Sequence, residues 1–269
     1  MRALGIALGL WFLALAAWAD ARHTVLMDVL RIDQLAQILH DEGLIHGQEL
    51  NADMLEGKGG AGWGMQVSAI HNPERISEGL RRGLEDALQG EVLETAIAFY
   101  ASDLGQRVVE LENSARIAMA EPEIEEAARA RFVELDGQDD PRLALIARLI
   151  EAGDLITRNV TSGMNNNYQF MRGLADGDVI EMTEEDILAE ILEGRDEQLE
   201  DTRTWLGGFM LMAYSPLSPA DLEAYARFAE SPAGRALNRG LFAGFDPLYE
   251  DISYNLGRAV ALNMLSEEL

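Results

Sequence analysis

Apolar residues recur at helical spacing from Val25 onward while strand-like alternation is scarce, and this pattern confines the chain to one fold class. Leu35, Ile38 and Leu39 share a helix face, as do Leu80, Leu84 and Leu88. Leu143, Ile146, Ala147 and Ile150 repeat the spacing, and Leu188, Ile191 and Leu192 repeat it again. Helix starts are punctuated by a capping side chain directly before a proline at Asn72-Pro73, Asp140-Pro141, Ser218-Pro219, Ser231-Pro232 and Asp246-Pro247. Proline suits a first helical position because its missing N–H is one that the helix leaves unpaired there. Thr183 and Ser218, each with an acid three residues on, resemble capping boxes with a shortened acid. The expected fold is all-α, a helical bundle. The stretch 56–66 holds Gly57, Gly59, Gly60, Gly62 and Gly64, which argues against a helix and predicts a mobile loop or linker.

The chain also echoes itself. Leu93-Glu94 with Phe99, Ser102 and Gly105 matches Leu222-Glu223 with Phe228, Ser231 and Gly234 at constant offset. Glu121-Pro122 before Glu125-Glu126 is answered by Asp246-Pro247 before Glu250-Asp251, with an offset shorter by about one helical turn. Leu35-Ala36 and Ile38-Leu39 resemble Leu188-Ala189 and Ile191-Leu192. We read two degenerate helical halves, 20–135 (with the Gly-rich insert at 56–66) and 179–269, joined by a helical segment over 136–178. Phe-x-x-Ser-x-x-Gly reads as a corner between packed helices. Phe anchors the last turn of one helix, Ser caps the next, and Gly at its third position admits a close neighbour.

The segment Phe99-Tyr100-Ala101-Ser102-Asp103-Leu104-Gly105-Gln106-Arg107, with its echo from Phe228 to Arg235, resembles the hallmark of the bacterial domain of unknown function 2059 family. The first copy fits best. In the second, Ala229 stands where the first has Tyr100, and Arg235 follows the glycine directly. The resemblance implies an exported, helical protein of a Gram-negative periplasm. It implies no reaction, and so no catalytic residue.

The first residues point the same way. Met1-Arg2, an uncharged run from Ala3 to Ala19, and small residues at Ala17 and Ala19 make a secretory signal peptide over 1–19. The expected cut follows Ala19, with a cut after Ala21 or an uncleaved anchor as alternatives. Without cysteine there is neither a lipidated N-terminus nor a disulfide, so stability must come from a core. With 21 basic and 47 acidic residues the net charge is −26. A body so acidic repels phosphate backbones and anionic headgroups, which excludes nucleic acid and, beyond the leader, the membrane surface as partners. Cationic partners fit, as does charge that simply keeps an exported protein soluble.

No motif in the chain carries chemistry. Gly57-Lys58-Gly59-Gly60 lacks the spacing and the Ser/Thr of a phosphate loop. His23, His40, His46 and His71 lack metal-ligand spacing and are expected on the solvated surface. No nucleophile signature occurs. Ten acids against Arg195 between Glu181 and Asp201 read as a solvated face, with docking of a basic protein as the functional alternative. Trp205 to Tyr214 reads as core, with a Met-rich groove as the lesser alternative.

The best candidate is a polar stripe on one helix: Arg158, Ser162, Asn165, Gln169 and Arg172, in a stretch free of carboxylates from Leu155 to Leu174. It fits a pocket for an anionic or sugar-like ligand, a buried seam between the halves, or a solvated face. Three functions follow. The first is a non-enzymatic binding or interaction protein of the envelope, with an envelope protein as partner. The second is a carrier or sensor of a small ligand, and the third a cell-wall hydrolase with two facing carboxylates. No cofactor is expected, and oligomeric state is not legible.

Overall fold

The computed structural model describes residues 21–267, which contain helices and no strand. The leader at 1–19 and the cut after Ala19 fall outside the described residues. A helical run at 21–29 leads into α1 (Ile32–Met54), α2 (Gly60–Ile70), α3 (Pro73–Ala87), α4 (Gly90–Tyr100), α5 (Asp103–Met119) and α6 (Pro122–Leu135). Then come α7 (Pro141–Gly153), α8 (Leu155–Ala175), α9 (Glu184–Glu193), α10 (Arg195–Tyr214), α11 (Pro219–Glu230) and α12 (Pro232–Glu267). None of these described helices is long and apolar enough to cross a membrane.

The caps lie where the side chains placed them. Asn72 accepts from the Arg75 N–H, Asp140 from Arg142 and Leu143, and Ser218 from Asp221. Thr183 and Asp186 close a reciprocal capping box. Two expectations need correction. Asp246-Pro247 starts no helix, because α12 runs through Pro247 unbroken. The Asp246 carboxylate instead accepts from the Ser162 hydroxyl at 2.6 Å, and packing of α12 between α3 and α8 sustains the helix that proline weakens.

The Gly-rich stretch is likewise mostly helical: only the turn before Gly60 is irregular, with Glu56 and Gly57 left-handed. Tertiary contact overrides the poor propensity of α2. Trp63 and Val67 are buried, and the Trp63 indole donates to the Gly47 carbonyl at 2.6 Å. Gly47 has no side chain to fend α2 off; a Cβ there would lie 2.6 Å from Val67.

α12 is the axis of the fold. On one side it meets α3 through Gly79, Gly83, Gly240 and Gly244, where a Cβ on Gly83 would lie 2.3 Å from the Gly240 carbonyl oxygen. On the other it meets α8 through Gly173 and Gly257, where a Cβ on Gly257 would lie 2.2 Å from the Phe170 carbonyl oxygen. The core clusters mix early and late segments. Leu26, Leu80 and Leu93 pack with Phe228 and Leu237, and Trp63 and Val67 with Leu174 and Val260.

The two Phe-x-x-Ser-x-x-Gly corners have matching geometry. Ser102 and Ser231 each accept from the glycine N–H at 3.1 Å. A Cβ on Gly105 or Gly234 would lie 2.2 Å from the carbonyl oxygen of Phe99 or Phe228, so the close neighbour is the end of the preceding helix. The rings of Phe99 and Phe228 stack face to face, centroids 3.9 Å apart and 5° from parallel.

Candidate functional site

Where the helices diverge they leave a cavity of about 480 Å³. Its walls come from α1, α4, α5, α7, α8, α10, α11 and α12. Among aliphatic side chains the lining carries many aromatic ones: Tyr100, Trp205, Phe209, Tyr214, Tyr225 and Phe228, with Phe242, Phe245 and Tyr249 from α12. The Trp205 and Phe209 rings stack at 5.3 Å, one turn apart on α10. This size and a mostly apolar wall carrying a few fixed polar groups are typical of a small-molecule site.

Those polar groups come from three helices: Glu112, Asn113 and Arg116 on α5, Asn159, Ser162 and Asn166 on α8, and Asn238 and Asp246 on α12. Glu112 Oε1 accepts from the Tyr214 hydroxyl at 2.6 Å and from the Tyr225 hydroxyl at 2.9 Å. Nothing among the described residues bonds to its Oε2. Burial raises the Glu112 pKa against the two hydroxyl bonds that lower it. Burial and the nearby Glu112 carboxylate raise the phenols of Tyr100, Tyr214 and Tyr225 in turn. Arg116, one turn along α5, is held by Glu42, with Nη2 to Oε2 at 2.9 Å and Nε to Oε1 at 2.8 Å. Burial pulls its pKa down, but Glu42 and Tyr249 outweigh that and keep it charged. Burial pushes the Tyr249 phenol up to about 12.

Three buried atoms on cavity-lining residues have no hydrogen-bond partner among the described residues: Asn113 Nδ2, Asn166 Oδ1 and Arg116 Nε, the last paired with Glu42 by charge alone. Asn113 itself is only 7% exposed. An unpaired buried amide costs about 1–3 kcal/mol, which a bound ligand would recover.

A carboxyl whose pKa is raised in the fold is protonated more readily there than in the unfolded chain, so stability falls as pH rises from the ordinary glutamate value through the raised one. Glu112→Gln cannot ionise and keeps an acceptor for both tyrosines. Thermal melts of the ligand-free protein at about pH 7.5 are therefore expected to show the variant higher by roughly 2–4 °C. At about pH 4 the gain vanishes.

The sequence-predicted stripe divides. Ser162 reaches the cavity. Arg158, Asn165 and Arg172 lie along the seam with α12. Arg158 sits 5.3 Å from the Phe242 ring centroid, and Arg172 sits 4.9 Å from that of Tyr254. Asn165 donates to Glu250 at 3.2 Å, and Gln169 accepts from Arg172 at 3.2 Å. The stripe that faces the cavity is its neighbour: Leu155, Asn159, Ser162 and Asn166.

The histidines correct another expectation. His23 and His71 are buried, each 4% exposed, because each ring finds a backbone carbonyl, Leu88 for His23 and Val67 for His71. The acidic run from Glu181 to Asp201 is largely exposed, its apolar anchors being Ile187 and Ile191. In Trp205–Tyr214, Leu206, Met210, Ala213 and Tyr214 are core.

A second concavity of about 750 Å³ lies between α1 and the α5–α6 corner, lined by Glu42, Ile45, Glu49, Met119 and Val133. It is an open surface groove with Ile45 and Val133 exposed to solvent, and Glu42 on its wall pairs with Arg116. The central cavity carries the more specific chemistry.

Helices α3 to α6 hold the first corner and the Glu112–Arg116 wall of the cavity. Residues 74–132 match the model of DUF2059, described as an uncharacterized protein conserved in bacteria. The resemblance read from Phe99 to Arg107 is therefore shown over that segment, which runs from the first turn of α3 to the last turns of α6. The second corner, Phe228 to Gly234, lies outside the DUF2059 segment. No curated protein and no solved structure matches the chain. Glu112, Asn113 and Arg116 fall inside the DUF2059 segment, while the aromatic wall from α10 to α12 falls outside it.

Proposed function

We propose that this is an exported, non-enzymatic carrier or sensor of a small ligand in the bacterial cell envelope, with the central cavity as its binding site. One observation carries the reading: a cavity of about 480 Å³ walled by aromatic rings, into which the buried, unpaired amide of Asn113 faces. Export rests on the leader-like residues 1–19 and on the periplasmic setting that the DUF2059 resemblance implies. A purely interaction-based role in the envelope would rest on the open groove at Ile45 and Val133, whose lining carries no unpaired buried polar atom among the described residues. One observation favours a hydrolase as second reading, since Glu112 and Asp246 both line the cavity. Both carboxyls, however, already accept hydroxyl donors, from Tyr214 and Tyr225 and from Ser162.

Trp205 offers a direct test, because it lines the cavity while Trp63 packs in a different cluster. In a Trp63→Phe background without the leader, Trp205 is the sole indole. Titration with a small-molecule extract of the cell envelope is expected to change its emission saturably. Adding Asn166→Phe, which fills the cavity, should abolish the change. A response that survives this variant places binding elsewhere, and an unchanged extract after prolonged incubation separates carrier from hydrolase.

A further inference from the structure

The polar groups of the cavity are not balanced in charge. Of the ionisable groups that line it, apart from the tyrosines, Arg116 is already neutralised by Glu42, while Glu112 and Asp246 meet only hydroxyl donors. Glu112 is held in place rather than compensated, with two tyrosines on Oε1 and none of the described residues on Oε2. Around it stand electron-rich rings. Tyr214 and Tyr225 meet edge to face at 5.5 Å, and Tyr100 meets Phe228 likewise at 5.5 Å. A carboxylate at the end of an aromatic box is the arrangement that recognises ammonium groups, through charge and through the negative faces of the rings.

Resting on the small-ligand reading above, we propose that the cavity takes an organic cation, a protonated amine on an apolar body, with its N–H groups on Glu112 Oε2 and its body among the aromatic rings. Asn166 Oδ1 is a further acceptor suited to such a donor-rich ligand. Asn113 Nδ2, next to Glu112 on α5, is a free donor and calls for one oxygen acceptor on the same molecule. The sign is opposite to that suggested by Arg158 and Arg172, and the structure supplies the reason: both guanidiniums lie over rings of α12 on the seam and do not line the cavity.

Ionisation of Glu112 and binding of an ammonium are coupled. In the ligand-free protein, desolvation favours the neutral carboxyl, and a bound ammonium would favour the ionised form. The groups facing it are the hydroxyls of Tyr100, Tyr214 and Tyr225, with Arg116 one turn away and committed to Glu42.

Calorimetry with three probes of one shape tests the inference: 2-phenylethylammonium, neutral 2-phenylethanol and anionic 3-phenylpropionate, each on the full folded protein. The ammonium is expected to bind about tenfold or more tightly than the alcohol, the acid weakest of all, and Glu112→Gln should erase the ammonium's preference. Melting of that variant checks that it folds. If the acid binds best, or the ammonium's preference survives Glu112→Gln, the amine assignment is overturned while the cavity reading stands. If none of the three binds, the amine assignment also falls. The Trp205 titration then decides the carrier reading separately.

Discussion

Gly83→Ala is expected to lower the melting temperature by roughly 6–12 °C, the equivalent of about 3 kcal/mol in a chain of this size. A β-carbon at residue 83 would lie 2.3 Å from the Gly240 carbonyl oxygen and 2.5 Å from the Gly244 nitrogen. Both are backbone atoms of a helix, so no rotamer change can relieve the clash. Instead α3 and α12 must move apart across a seam that seals Ile76, Leu80 and Leu84 in the core. The intrinsic helical advantage of alanine over glycine, about 1 kcal/mol, opposes the loss and is smaller than it. Gly62→Ala is the internal control: a Cβ there meets nothing within 4 Å, so the propensity gain acts alone and the melting temperature holds or rises. Circular dichroism melts of the two variants should therefore shift in opposite directions.

Gly105→Ala and Gly234→Ala should each cost about 2–3 kcal/mol, for one shared reason. Each new Cβ would lie 2.2 Å from the carbonyl oxygen of its own phenylalanine, Phe99 or Phe228. It would press on the last turn of the preceding helix, where nothing flexible can yield. Because the two phenylalanines stack at 3.9 Å, displacing one corner already disturbs the other. The double variant should depart from additivity by more than about 0.5 kcal/mol in denaturant unfolding. Strict additivity would mean that the two corners are energetically separate. Ser102→Ala removes a cap on the exposed side and should cost only about 1 kcal/mol.

Much of the fold was legible because its helix starts are local. Asn72, Asp140, Thr183 and Ser218 cap helices with their own side chains within three residues, and a sequence shows such spacing. The two misreadings are places where distant residues decide. Three glycines stay helical in α2 because Trp63 and Val67 find Gly47 on α1, and Pro247 stays inside α12 because α3 and α8 hold that helix on two sides.

The site shows the same limit more sharply. Its central acid, Glu112, is one of many acids in the chain. What distinguishes it is contact with Tyr214 and Tyr225, which are 102 and 113 residues away. On α8 the absence of carboxylates marked a helix that lines the cavity. The arginines at its ends drew attention to the seam with α12, whereas the uncharged amides Asn159 and Asn166, one stripe over, face the cavity. The unpaired Asn166 Oδ1 was visible only once the helices were assembled.

A cavity that holds a small molecule should yield that molecule with the protein. Native mass spectrometry of the protein, purified gently from its own host, reads this out. A species heavier than the bare chain by one defined small mass is expected, absent from the Asn166→Phe variant. A wild-type preparation that flies only at the mass of the bare chain would rule the ligand out, and an adduct retained by Asn166→Phe would move the site away from the cavity.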